Sequence, residues 1–180
     1  MKTNSLETFI KNVSAAWGPL SSDLVAACRR QLEMLALTSP KEEWLEQLLQ
    51  NAPASEELYR SPEHDFVLLA HTEQRGLYRP PHDHGRSWVV YAIQSGEIEM
   101  CSYARIEAPS GALQLVKRDS QTLRAGDVKI YLPGDIHDTR CLSQTALLFR
   151  FTERDLKAAD DQNHRVTRYL HQDGVWTAWS

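Results

Sequence analysis

Residues 80–88 read Pro80-Pro81-His82-Asp83-His84-Gly85-Arg86-Ser87-Trp88, and about fifty residues later the chain reads Leu132-Pro133-Gly134-Asp135-Ile136-His137. Two histidines one residue apart on a strand project to the same face, because successive side chains alternate. A third histidine shortly after a Pro-Gly turn can complete a triangle. Three neutral imidazoles on β structure bind one divalent metal ion and leave coordination positions open for small ligands. His82, His84 and His137 are therefore the predicted metal ligands.

Glycines frame both stretches in a recognisable pattern. Gly76 precedes His82, Gly96 follows His84, and Gly126 opens the second segment. This arrangement resembles the two signature motifs of the cupin superfamily, G-x5-H-x-H…G and G…P-x-G-x2-H. Many cupins carry a glutamate four or five residues after the second histidine, where this chain has Trp88 and Val89. The resemblance is thus to three-histidine cupins, especially the cysteine dioxygenase (thiol dioxygenase) family and its uncharacterised bacterial relatives.

The resemblance covers roughly residues 58–151 and implies a mainly β fold, the cupin double-stranded β-helix or jelly-roll barrel. It favours Fe(II) as the single bound metal, although imidazole ligands also accept Zn, Ni, Mn or Cu. The expected partners are a small-molecule substrate and O2, because thiol dioxygenases oxidise a thiol to a sulfinate. A homodimer is a further expectation.

Composition and charge argue against several other classes of function. The chain has 180 residues, ordinary globular composition and a net charge of −4, so nucleic acid is not an expected partner. No apolar run reaches transmembrane length, and the first residues lack the apolar core of a signal peptide, so no membrane association is expected. Three cysteines without a paired pattern indicate a reducing cytoplasm.

The apolar pattern changes along the chain. Leu20, Leu24, Cys28, Leu32 and Leu35 recur at helical spacing, with Ser21 or Ser22 as a possible cap, and Pro40 is a candidate first residue of the next helix. We therefore predict an N-terminal helical segment over residues 1–55, packed on the outside of the barrel. Residues 56–180 carry short strands separated by Gly/Pro turns and form the barrel of what is overall one structural domain.

Several residues are candidates for contacts around the metal. Arg60 is a predicted substrate contact, because thiol dioxygenases hold the substrate carboxylate with an arginine ahead of a strand, although a surface position fits Arg60 equally well. Trp88 and Tyr131 are further substrate-contact candidates, with packing as the simpler role for each. Asp83 either orients an imidazole or is an outward loop carboxylate. No residue is assigned a catalytic role.

The pocket wall shows a departure from the thiol dioxygenases. These enzymes carry Ser-x-His-x-Tyr on a late strand, and the equivalent alternating positions are interpreted here as Leu147, Phe149 and Phe151. Such an apolar wall offers no partner for an ammonium group, so free cysteine is expected to be a poor substrate. The remaining histidines lack metal-ligand spacing and are interpreted as structural or surface residues: His64, His71, His164 and His171.

Three functions remain in competition at this point. The first is an iron-dependent dioxygenase that oxidises a small thiol or another small anionic chelating substrate. The second is a cupin binding module that holds a ligand through its metal without turnover. The third is a metal-dependent isomerase or lyase.

Overall fold

A computed structural model describes residues 3–156 and 166–179. Three helices come first, and they are α1 (Ser5–Ala16), α2 (Ser22–Ala36) and α3 (Glu43–Asn51). Asn4 caps α1 in a capping box with Glu7, and the Ser21 hydroxyl accepts from the backbone N–H of Leu24 at the start of α2. The N-terminal segment is thus helical, as the leucine spacing predicts.

The described residues then form eleven strands. They are β1 (Glu56–Arg60), β2 (Val67–Gln74), β3 (Tyr78–His82), β4 (Val89–Ser95), β5 (Ile98–Glu107), β6 (Leu113–Leu123), β7 (Val128–Tyr131), β8 (Ile136–Cys141), β9 (Thr145–Thr152), β10 (Arg168–Gln172) and β11 (Val175–Trp179). One sheet has the order β1-β2-β9-β4-β7, and the other has the order β11-β10-β3-β8-β5-β6. The recorded pairings are antiparallel, and the two sheets curl into a jelly-roll barrel.

The first sheet separates two apolar cores. Its outward face meets the helices, where Phe151 packs against Phe9, Trp17, Phe66 and Trp88 with ring centroids 5.4–6.0 Å apart. Its inward face contributes to a second core inside the barrel, with Val89, Tyr91, Ile93 and Leu148 among its members. Because side chains alternate along a strand, β4, β7 and β9 of this sheet contribute residues to both cores.

The mainly β jelly roll with N-terminal helices is confirmed. Pro40 as the first residue of a helix is wrong, because α3 begins at Glu43 after Glu42 as its N-cap. The three cysteines are buried and free. Within the described ranges, no helix is both long and apolar enough to cross a membrane. The division of the chain at residue 55 stays a prediction.

The packing of Phe151 makes a prediction about stability. Replacing Phe151 by Ala removes a fully buried ring from the helix-facing core. The expected loss in free energy of unfolding is about 3–5 kcal/mol, as for other buried Phe to Ala changes. Denaturant titration measures it, with Met34→Ala on α2 as a control because Met34 is half exposed. Equal effects of the two substitutions would contradict this assignment of the core.

Candidate metal centre

Two strands and one loop bring the three predicted ligands together. His82 ends β3, and His137 lies directly opposite it on the neighbouring strand β8. His84 lies in the loop that follows β3. Ligand atoms of the three side chains all lie within 4.8 Å of one another, and the ring centroids are 4.5–5.2 Å apart. The sequence spacing therefore identified a real cluster of imidazoles.

The surroundings keep these imidazoles uncharged. Burial lowers the pKa of His82, and the positive charge of Arg150 lowers it further. Burial also holds the pKa values of His84 and His137 well below the ordinary range, with their histidine neighbours acting in the same direction. A neutral imidazole has the lone pair that metal coordination requires.

Hydrogen bonding shows which nitrogens are free. The Nδ1 atom of His82 is 2.8 Å from the Pro80 carbonyl, which can only accept, so Nδ1 carries the proton and Nε2 is left for a ligand. Among the described residues, neither ring nitrogen of His137 nor Nδ1 of His84 has a hydrogen-bond partner. A buried polar atom without a partner costs about 1–3 kcal/mol. Coordination of a metal ion would remove this penalty for the ligating nitrogens, so the residues fit a metal site.

Asp83 builds the loop between the ligands. Its Oδ1 accepts from the backbone N–H of Gly85 at 2.9 Å and from that of Thr167 at 3.0 Å. Its Oδ2 lies 3.4 Å from the Tyr169 hydroxyl. The recorded partners of Asp83 thus belong to its own loop and to the β10 region, and no imidazole is among them.

A cavity of about 560 Å³ opens beside the cluster. His82 and His84 line it together with side chains from both sheets. Its polar lining includes Glu73, whose Oε1 accepts from both Nε and Nη2 of Arg79 at 3.1 and 2.7 Å. The C-terminal hairpin closes one side with Arg168 and Trp179. A small molecule in this cavity would therefore meet both the imidazoles and charged groups.

Two tyrosines lie against the imidazoles. The hydroxyl of Tyr91 is 3.4 Å from Nε2 of His84. Burial raises the pKa of Tyr91, which the nearby Arg150 guanidinium acts to lower. Tyr131 stacks on His137, with ring centroids 3.8 Å apart and an interplanar angle of 15°. Tyr91 also lines the cavity. Tyr131, a predicted substrate contact, instead packs against a candidate ligand inside the barrel.

Two other predicted substrate contacts lie away from the cavity. Arg60 is exposed and pairs with Glu57 at 2.6 Å and Asp155 at 3.0 Å, so it is a surface residue. Trp88, one residue before β4, is buried among the helix-facing rings, because it continues the alternation that places Val90 and Ala92 on that side. Both were incorrect as substrate contacts.

The predicted apolar wall is also wrong. Leu147, Phe149 and Phe151 all belong to the core under the helices. The side chains of β9 that face the barrel interior are one residue out of phase with them. Leu148 and Arg150 line the cavity there. Because these three side chains do not line the cavity, they give no reason to expect free cysteine to be a poor substrate.

Sequence reasoning missed His71, Glu73 and Arg150. All three line the cavity, whereas the sequence spacing predicts His71 as a structural or surface residue. The sequence carries one signal for this, because Arg150 interrupts the apolar run Ala146–Phe151 and charged side chains are almost never fully buried unless they are paired. His64 packs beside Trp17 and His171 beside Trp176. His164 lies outside the described residues.

Solved structures with low sequence identity are similar to this chain. Neither a protein-family model nor a curated protein sequence matches the chain. The cupin domain of Schizosaccharomyces pombe Cnp3 is similar at 13% identity and a TM-score of 0.44, over 60% of this chain and 69% of that one. KdgF from Halomonas sp. is similar at 16% identity and a TM-score of 0.44, over 58% and 82%. An uncharacterized conserved protein with a double-stranded β-helix domain from Klebsiella pneumoniae has 16% identity and a TM-score of 0.41, over 67% and 80%. Nothing about activity follows from such likenesses.

The burial of His71 predicts a pH dependence of stability. Burial, assisted by the charges of Arg150 and Arg79, lowers the pKa of His71 to about 4. The unfolded chain, with an ordinary histidine pKa near 6.5, binds a proton between these values that the folded chain does not. The contribution of neutral His71 to the free energy of unfolding is therefore fully present above about pH 6.5. It decreases as the pH falls toward 4, by up to about 3 kcal/mol.

The measurement is chemical denaturation at a series of pH values. The variant His71→Asn keeps a donor for the Ala54 carbonyl, which lies 3.4 Å from Nδ1, but cannot titrate. We expect its stability to fall less steeply between pH 6.5 and 4 than that of the wild type. An unchanged slope would show that His71 does not remain neutral in the folded protein.

Proposed function

We propose that this protein is a metal-dependent oxidoreductase, a non-haem iron dioxygenase that oxidises a small thiol or another small anionic chelating substrate with O2. The observation that carries the proposal is the cluster of three uncharged imidazoles, in which Nδ1 of His84 and both ring nitrogens of His137 are buried without a described hydrogen-bond partner, beside a cavity large enough for a small molecule. Iron enters through the resemblance of the His-Asp-His-Gly segment to thiol dioxygenases, since the donor atoms alone do not select an ion. A small-molecule substrate and O2 are part of the same proposal.

His82, His84 and His137 would hold the metal, and an iron(II) ion there would supply O2 chemistry and Lewis acidity. Because three neutral imidazoles compensate none of the charge of a divalent ion, an anionic substrate is favoured at the open positions. The recorded contacts of Glu73 tie it to Arg79, so its charge is already balanced within the protein. The chain's own part is to bind and orient the anion and to keep the site partly dry.

Tyr91 has a defined place in this proposal. Its hydroxyl contacts the ring of His84, Arg150 lies opposite it on β9, and burial raises its pKa above the ordinary value. The phenol therefore keeps its proton at neutral pH and can donate a hydrogen bond to a substrate atom next to the cluster. In the thiol dioxygenases the tyrosine of the late-strand set reaches the iron site, whereas here β4 supplies a tyrosine.

Metal binding is tested by replacing each candidate ligand singly with alanine. We expect the affinity for Fe(II) and Co(II) to fall by more than about tenfold in each variant, since losing even a group that only orients a ligand weakens affinity ten- to hundredfold. Metal content after dialysis against a defined concentration of the ion is the measurement. His171→Ala is the matched control, because His171 is exposed and lies beside Trp176, away from the three candidate ligands. Full metal content in all three ligand variants would overturn the proposed centre.

The oxidation itself is tested by O2 uptake. The protein is loaded anaerobically with Fe(II) and mixed with cysteine, with 3-mercaptopropionate, or with acetylacetone as a chelator without a thiol. We expect substrate-dependent O2 consumption with at least one of them, and loss of that consumption in His137→Ala. Tight metal binding without O2 consumption would favour the binding module, or an isomerase or lyase, over the dioxygenase.

A further inference from the structure

Arg150 occupies a special place in the barrel. It lies in the middle of β9, directly opposite Tyr91 of β4, and its side chain lines the cavity. Its charge is among the influences that lower the pKa values of His82, His84 and His137. A fixed positive charge is therefore held on the interior wall that faces the histidine cluster.

This charge has no acidic partner in the described part of the chain. Arg60 and Arg79 each have a carboxylate within 3.1 Å, whereas no described carboxylate lies within 4.0 Å of the Arg150 guanidinium nitrogens. The Nε atom of Arg150 is buried and lacks a hydrogen-bond partner among these residues. A guanidinium with unused donors in a partly buried cavity is an unpaired charge, which is costly unless an anion completes it.

We propose that Arg150 holds the carboxylate of a short organic acid whose other end reaches the histidine cluster. The planar fork of a guanidinium matches the two oxygens of a carboxylate, and such paired hydrogen bonds are among the stronger ones in proteins. Tyr91 lies directly opposite Arg150 and its hydroxyl contacts the His84 ring, and all three side chains line one cavity, so only a short distance separates the two ends of the site. This assignment rests on the proposed function and names its substrate class as a carboxylic acid with a second donor group.

The other cavity arginines fit this role less well. Arg79 is held by Glu73, whose side chain is 5% exposed, so its charge is already balanced. Arg168 belongs to the C-terminal hairpin and has further interactions of its own. Arg79 therefore serves as the matched control, because it is an arginine of the same cavity with a carboxylate partner.

The first experiment observes Arg150 directly in the metal-free protein. The Nε–Hε resonance of Arg150 is assigned in a ¹⁵N–¹H spectrum by its absence from Arg150→Met, and sodium propionate is then titrated in. We expect a saturable shift of this resonance with propionate and none with propionamide, which has the same shape without the charge. A resonance unmoved by propionate would overturn the proposal, whether or not the protein binds metal.

The second experiment measures selectivity in the Co(II)-loaded protein. Optical titration compares 3-mercaptopropionate with propane-1-thiol, which lacks the carboxylate. We expect the wild type and the double variant Glu73→Gln/Arg79→Met, which removes both charges of that pair together, to prefer the acid by about tenfold or more, equivalent to one charge-assisted contact. The preference should vanish in Arg150→Met and survive in part in Arg150→Lys, since lysine keeps the charge but loses the fork.

The two proposals can fail separately. Full preference for the acid in Arg150→Met would overturn the role of Arg150 while leaving the metal centre intact. Failure of the protein to bind Co(II) would overturn the proposed function, and the propionate titration would still decide whether Arg150 binds a carboxylate. Thermal unfolding of both Arg150 variants identifies any that do not fold, and the wild-type titration does not depend on them.

Discussion

The alternation of side chains along β9 separates the helix-facing core of this molecule from the cavity inside the barrel. Leu147, Phe149 and Phe151 project toward the helices and hold them on the barrel, while Leu148 and Arg150 project inward to the cavity. Since the period of a strand is two, a shift of one residue would exchange both sets and place Arg150 under the helices. The helix-facing core and the cavity wall therefore depend on a single register.

Burial of uncharged imidazoles is the second constraint, and it works against stability. His137 is fully buried, and neither of its ring nitrogens has a described hydrogen-bond partner. A chain selected only for a stable fold would gain by placing apolar side chains there. The stacking of Tyr131 on His137 and the bond from His82 to the Pro80 carbonyl hold these rings in position instead. Such pre-positioning at an energetic cost is what a binding site requires.

The sequence was most informative where the relevant signal is local. The two-residue spacing of His82 and His84 and the Pro-Gly turn before His137 are short patterns, and these three side chains do meet. Which face of β9 points into the barrel could not be derived in the same way. Five of its six central residues are apolar, so the pattern is compatible with burial of either face. The helices that cover the outer face create that ambiguity, since they make both faces of the strand dry. Arg150 was the one residue that distinguished the faces.

The C-terminal hairpin illustrates a long-range link that no spacing rule reaches. Asp83 lies between two candidate ligands, yet its carboxylate accepts from the backbone of Thr167, eighty-four positions later in the chain. Its backbone N–H donates to the Thr167 carbonyl at 3.0 Å, so the ligand loop and the hairpin are tied in both directions. Because the same hairpin contributes Arg168 and Trp179 to the cavity, one carboxylate positions both the turn between the ligands and part of the wall that a substrate would meet. Asp83 thus connects the geometry of the metal centre to the shape of the space in front of it.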